Sequence, residues 1–101
     1  MKEKVFFLLT RIPKGKVVTY GQLAAMLGNP GLSRYVGNVL HRNPDGERYP
    51  CYKVVNSQGK LSAHYAFGGM DAQAERLRQE GIPVEKGRVD LAVYRWDPHL
   101  S

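Results

Sequence analysis

Cys51 is the only cysteine among 101 residues. It lies in the run Tyr49-Pro50-Cys51-Tyr52-Lys53-Val54-Val55. A thiolate is a soft nucleophile, but an unperturbed thiol with a pKa of about 8.5 is only a few per cent ionised near neutrality. A reactive Cys51 therefore needs an activating neighbour. Tyr52 adjoins it, and a phenol with a pKa near ~10 is a poor general base at neutral pH. Lys53 comes next and could favour the thiolate through its charge. The alternative is an inert thiol packed as a small hydrophobe. One cysteine forms no internal disulfide, so nothing points to an oxidising compartment.

The elements around Cys51 follow from periodicity and turn chemistry. Val5, Leu8, Leu9 and Ile12 recur at helical spacing, which predicts an amphipathic helix over 2–12, ended by Pro13-Lys14-Gly15-Lys16. Thr19-Tyr20-Gly21-Gln22 is a capping-box pattern, with Val18 and Leu23 at the staple positions around it. It opens a helix over 20–27, with Gly28 suited to its exit. Asn29-Pro30-Gly31 is a turn, and Leu32, Tyr35, Val36, Val39 and Leu40 mark a second helix over 32–42. Two short helices joined by a glycine-containing turn make a helix-turn-helix candidate. Beyond the loop Asn43-Pro44-Asp45-Gly46, Lys53-Val54-Val55 and Lys60-Leu61 flank Asn56-Ser57-Gln58-Gly59 and read as a small β-hairpin. Phe67-Gly68-Gly69 is a joint before a helix over 71–80 packed through Ala72, Ala74 and Leu77. Tyr94 and Trp96 are expected to pin the tail to the body. The expected fold is mostly α with a small β-hairpin, a winged-helix-like DNA-binding domain formed by residues 1–101 as one unit.

Composition narrows the partner. Fifteen Lys and Arg against nine Asp and Glu give a formal charge of +6, which favours an anionic partner, nucleic acid before a membrane surface. The apolar run over 5–9 is shorter than a signal-peptide core or a membrane span, so cytoplasmic residence is expected. His41, His64 and His99 are scattered without metal spacing, so neither metal nor cofactor is expected.

Taken together, these runs resemble the C-terminal domain of the O6-alkylguanine-DNA alkyltransferases, over about residues 5–81. The family signature Pro-Cys-His-Arg-Val reads here Pro50-Cys51-Tyr52-Lys53-Val54. Tyr20, Gly28-Asn29-Pro30, Arg34, Val36-Gly37 and Asn43 fit in order and spacing. The stretch over 88–98, with Tyr94-Arg95-Trp96-Asp97-Pro98, is similar to the ending of the short alkyltransferase-like proteins. Those bind O6-alkylguanine without transferring the alkyl group, and they usually carry tryptophan where this chain keeps Cys51.

The resemblance implies a set of roles. Cys51 would accept the alkyl group once, permanently, making the protein a stoichiometric methyltransferase. Arg34 would fill the gap left by a nucleotide flipped through the minor groove, and Gly37 would let the helix approach DNA closely. Tyr20 would help rotate the nucleotide and donate to the damaged base. Asn43 would brace the helix-turn-helix against the Pro50–Cys51 turn, and Glu80 would stand behind the residue after the cysteine. Backbone groups near Cys51 and Val54 would read the guanine edge, with Lys53 at the DNA and Phe67 as an aromatic wall beside Tyr65. Tyr52 replaces the family histidine. Three outcomes stay open: a Tyr52–Glu80 relay through water, activation by Lys53, or an inert Cys51.

The implied partner is double-stranded DNA containing O6-alkylguanine, bound by a monomer, with hand-over to excision-repair proteins as the non-catalytic alternative. A sequence-reading winged-helix regulator is a third reading, without a dimerisation heptad to support it.

Overall fold

The computed structural model describes residues 2–62 and 65–98. Helix α1, Lys2–Arg11, turns Val5, Leu8 and Leu9 into the core. Strand β1, Val18–Thr19, runs directly into helix α2, Tyr20–Met26. The capping box forms: the Gln22 N–H donates to Thr19 Oγ1 at 3.0 Å, and the Thr19 N–H donates to Gln22 Oε1 at 3.0 Å. The staple residues Val18 and Leu23 are both fully buried. Gly28 leaves α2 at a φ of +95°, the left-handed exit that favours glycine. A single 3-10 turn, Pro30–Leu32, capped by the Asn29 side chain, leads into helix α3, Ser33–His41. Helices α2 and α3 are the expected helix-turn-helix pair.

A second 3-10 turn, Cys51–Lys53, runs into strand β2, Val54–Val55. Here the expected hairpin is corrected. The Asn56–Gly59 reversal is present, with the Asn56 N–H donating to the Lys60 carbonyl at 3.0 Å. The ladder partner of β2, however, is β1 in parallel, with Val18 opposite Val54 and Thr19 opposite Val55. All four residues are buried, and a strand covered on both faces suits parallel pairing inside a core. The Lys60–Leu61 arm bonds to the tail instead: Leu61 N–H to Gly87 O at 3.0 Å, and Val89 N–H to Gly59 O at 2.9 Å. Gly59 is obligatory there, because a Cβ would stand 2.2 Å from the Val89 carbonyl oxygen.

Helix α4, Gly69–Gln79, buries Gln73, Ala74 and Leu77. Helix α5, Leu91–Tyr94, was not anticipated, and Asp90 caps it. The tail is pinned as expected. The Trp96 N–H donates to the Val17 carbonyl at 2.7 Å, the Val17 N–H to the Tyr94 carbonyl at 2.8 Å, and Gln22 Nε2 to the Trp96 carbonyl at 2.8 Å. Gln22 thus caps its own helix and holds the tail. Among the described residues no helix is long and apolar enough to cross a membrane.

Candidate nucleic-acid and lesion site

The parallel β1–β2 pairing builds the site. It sets the start of α2, with Tyr20, beside the strand that leaves the Cys51 turn. Helix α3 closes the opposite side. Between them lies an open cavity of about 680 Å³, whose wall includes Tyr20, Arg34, Gly37 and Cys51. These four sequence candidates therefore meet. Arg34 is exposed at the rim. A Cβ on Gly37 would meet no protein atom within 4 Å, so the helix surface there is open.

The turn bearing Cys51 is braced from several sides. Asn43 is buried, its Nδ2 donating to the Tyr49 carbonyl at 2.7 Å and its Oδ1 accepting from the Asp45 N–H at 3.0 Å. The Tyr49 ring stacks on Phe6 at 5.0 Å between centroids, which ties the approach to Pro50 onto α1. Pro50 starts the 3-10 turn. Burial pushes the Cys51 thiol up, and a hydrogen bond with the Asn43 side chain and the charge of Arg76 only partly oppose it. Tyr20 is also raised, first by burial, against a hydrogen bond with Ser62. Its hydroxyl stays protonated near neutrality and is a hydrogen-bond donor.

Behind the turn lies a separate cluster. Glu80 Oε1 accepts from Lys53 Nζ at 3.0 Å and from the Gly15 N–H at 3.0 Å, and Glu80 Oε2 accepts a short hydrogen bond from the Tyr52 hydroxyl. Lys53 Nζ also donates to the Pro13 carbonyl at 2.9 Å. Burial alone would raise the Glu80 carboxyl, but the bonds from Tyr52, Gly15 and Lys53, with the Lys53 charge, hold it below the usual carboxylate range. Tyr52 is pushed up to about 12, by burial first and then by its bond to the Glu80 carboxylate and that group's charge.

Four expectations change here. Tyr52 is a donor to Glu80 and no base near neutral pH. Lys53 is 3% exposed, lies off the cavity wall, and has its charge paired with the Glu80 carboxylate. A lysine carries a long apolar stem, and here that stem takes the ammonium inward to three acceptors rather than out to solvent. Val54 is buried off the cavity wall. Its N–H donates to the Cys51 carbonyl and its carbonyl accepts from Gln73 at 3.1 Å. Phe67 is 42% exposed and meets Tyr65 edge-on at 5.7 Å, so Tyr65 forms the wall and Phe67 backs it. His64 and His99 lie outside the described residues, and among the described residues no three His, Cys, Asp or Glu could hold a metal.

Sequence reasoning missed Gln73 and Arg76. Gln73 is 1% exposed. Its Nε2 donates to the Tyr52 and Val54 carbonyls at 3.0 and 3.1 Å, and its Oε1 accepts from the Ser62 N–H at 2.9 Å. It thereby ties α4 to the Cys51 turn and to the loop facing Tyr20. Its signal was a glutamine four residues before Leu77, on the apolar face of α4. Arg76 lies one turn further along, its guanidinium 4.6 Å from the Tyr52 ring centroid.

Residues 1–82 match the family described as "6-O-methylguanine DNA methyltransferase, DNA binding domain". The chain is 44% identical over 96 residues to a DNA base-flipping protein of Vibrio parahaemolyticus, covering 94% of each. It is 39% identical over 83 residues to the methylated-DNA–protein-cysteine methyltransferase of Mus musculus, covering 82% of this chain but 39% of that protein. Its fold is similar to that of Atl1 from S. pombe, solved in complex with damaged DNA containing O6-carboxymethylguanine. That match has a TM-score of 0.87 and 31% identity, covering 96% of this chain and 94% of the other.

Proposed function

We propose, from the premise that this chain belongs to the family of 6-O-methylguanine DNA methyltransferase DNA-binding domains, that it is a DNA-repair protein which flips O6-alkylguanine out of duplex DNA and holds it in the cavity beside Cys51. The observation that carries this reading is the convergence of Tyr20, Arg34, Gly37 and Cys51 on one open cavity of about 680 Å³. That volume lies in the range of roughly 300–1,000 Å³ typical of small-ligand pockets.

Each residue has a physical task. A flipped base leaves an unstacked hole, and the planar Arg34 cation at the rim fills it. Gly37 leaves room for the backbone of α3 to lie against the minor groove. Tyr20 stays protonated and donates to the extruded purine. The protein acts as a monomer on double-stranded DNA, and the held lesion is passed to excision-repair proteins.

Stoichiometric transfer to Cys51 is a second reading, favoured by the thiol on the cavity wall. In that step the Cys51 proton leaves, a bond forms between Sγ and the alkyl carbon, and the bond from that carbon to O6 breaks. Its electron pair goes to O6, and the guanine takes up a proton. Against rapid transfer stand a thiol raised by burial and a Tyr52–Glu80 pair already engaged with itself.

Titration with duplexes carrying guanine or O6-methylguanine, followed by intact-mass measurement, separates these readings. At least tenfold tighter binding of the modified duplex is expected, with protein of unchanged mass in the first minutes. Equal affinity for both duplexes refutes lesion recognition. Prompt gain of one methyl on Cys51 establishes transfer as the activity.

A further inference from the structure

Phe67 is an aromatic ring left 42% exposed beside the cavity, yet it does not line it. Its ring is seated on Gly46. A Cβ on Gly46 would stand 3.0 Å from Cδ2 and Cε2 of that ring and 3.2 Å from Cζ, closer than ordinary van der Waals contact. The Gly46 backbone has no left-handed φ, so its conformation does not call for glycine. The missing side chain is what gives Phe67 its place.

Both partners of this contact are fixed at the backbone. On one side, Asp45 Oδ1 accepts from the Glu47 and Arg48 N–H groups at 3.0 and 3.1 Å, and the Asp45 carbonyl accepts from the Tyr49 N–H at 2.9 Å. Gly46 therefore sits in a closed turn of the loop that leads to Pro50 and Cys51. On the other side, the Gly69 N–H donates to the Tyr65 carbonyl at 3.0 Å, which closes the turn that carries Phe67. Within that turn the Phe67 ring meets the Tyr65 ring edge-on, at 5.7 Å between centroids and 62° between planes. Tyr65 and the adjoining Ala66 line the same cavity as Cys51. Phe67 thus stands between the 43–50 loop and the aromatic wall, touching Gly46 on one side and Tyr65 on the other.

We propose that Phe67, seated on Gly46, is the positioning residue that holds Tyr65 on the cavity wall and so limits the size of the group admitted beside Cys51. An edge-on aromatic pair gains from its geometry beyond its buried area, so Tyr65 loses a specific support when the Phe67 ring leaves. A side chain at Gly46 drives that ring toward solvent, its open side. For a lesion, the intact pair favours small O6 substituents over bulky ones. The proposal rests on the reading that the O6 substituent lies beside Cys51, but its test uses no DNA, so the two fail separately.

The test compares alkylation of Cys51 in the full chain by iodoacetamide and by its bulkier N-phenyl derivative, at one pH, with intact mass as the readout. With either reagent the thiol gives its proton to solvent, Sγ bonds to the methylene carbon, and the carbon–iodine bond breaks to release iodide. The ratio of the two rates cancels the thiolate fraction and reports the space around Sγ. Phe67→Ala and Gly46→Val are each expected to raise the rate of the bulky reagent relative to the small one by roughly 3- to 10-fold. Phe67→Tyr should stay within about twofold of the parent, since the ring remains. Gly46→Val should add nothing in the Phe67→Ala background, because both changes remove one contact. Val5→Ala opens the core under α1 without touching the cavity wall, so it should lower stability and leave the ratio unmoved. A ratio unmoved by Phe67→Ala, a further rise from Gly46→Val in that background, or an equal rise in Val5→Ala overturns the proposal. Phe67→Ala removes a partly exposed ring and keeps the fold, so it decides the matter even if Gly46→Val does not fold.

Discussion

The two sides of the Cys51 turn are built on opposite principles. Behind it, Tyr52, Lys53 and Glu80 satisfy one another and tie α1, the turn and the end of α4 together. In front of it, Arg34 stands exposed at the cavity rim, and a side chain at Gly37 would meet only open space. Polar residues that look alike in the sequence therefore do different work. The rear cluster stabilises the fold that aims Cys51 at the cavity, and the front face is left free for a ligand. Changes at the rear should cost folding, and changes at the front should cost binding.

The largest effect should come from the rear. Glu80→Gln strands the Lys53 ammonium in a buried site and should lower stability by about 3–5 kcal/mol, read from urea unfolding. A loss below about 1 kcal/mol would show that the cluster is solvated and that the contrast is false. Second, Arg34→Ala should weaken binding to an O6-methylguanine duplex by tenfold or more, with stability within about 0.5 kcal/mol of the parent. Loss of stability without loss of affinity would reverse the roles given to the two sides.

Third, the rear cluster should make stability depend on pH at both extremes. The Glu80 carboxyl is lowered on folding, so its contribution is present above its ordinary value and disappears as pH falls through the folded one. The Tyr52 hydroxyl is raised, so its contribution is complete below 10.0 and disappears as pH climbs towards about 12. Urea midpoints measured against pH should lose the alkaline decline in Tyr52→Phe and the acid decline in Glu80→Gln. An unchanged profile in both variants would mean that other groups dominate. The smallest change should be the most discriminating. Gly37→Ala replaces a mid-helix glycine where no protein atom stands in the way, so stability should rise by about 0.5–1 kcal/mol. Duplex affinity should fall severalfold, because the added methyl meets the DNA. Gains in both would place the duplex on another face.

Much of the fold was legible in the sequence, and the reasons are local. Thr19 and Gln22 cap each other within three residues, and the apolar spacing of α1 and α3 repeats every turn. Of the residues that line the cavity, Tyr20, Arg34, Gly37 and Cys51 were legible through their order along the chain. What local pattern could not show was partnership at a distance. Val54 and Val55 looked like one arm of a hairpin because a turn follows them, yet their ladder partner lies more than thirty residues upstream. Lys53 looked like a DNA-facing cation because burial does not show in a residue letter. Gln73 was missed although it carried a signal: a polar residue on the apolar face of α4, where a buried amide must find partners.

The central claim is that a modified guanine leaves the stack and enters the cavity in front of Cys51. The most direct measurement is a crystal structure of the protein on a duplex with one O6-methylguanine. The account predicts that nucleotide in the cavity, within hydrogen-bond reach of the Tyr20 hydroxyl, with Arg34 in the vacated space. An O6-methylguanine still paired and stacked within the duplex, with the cavity empty, would contradict it.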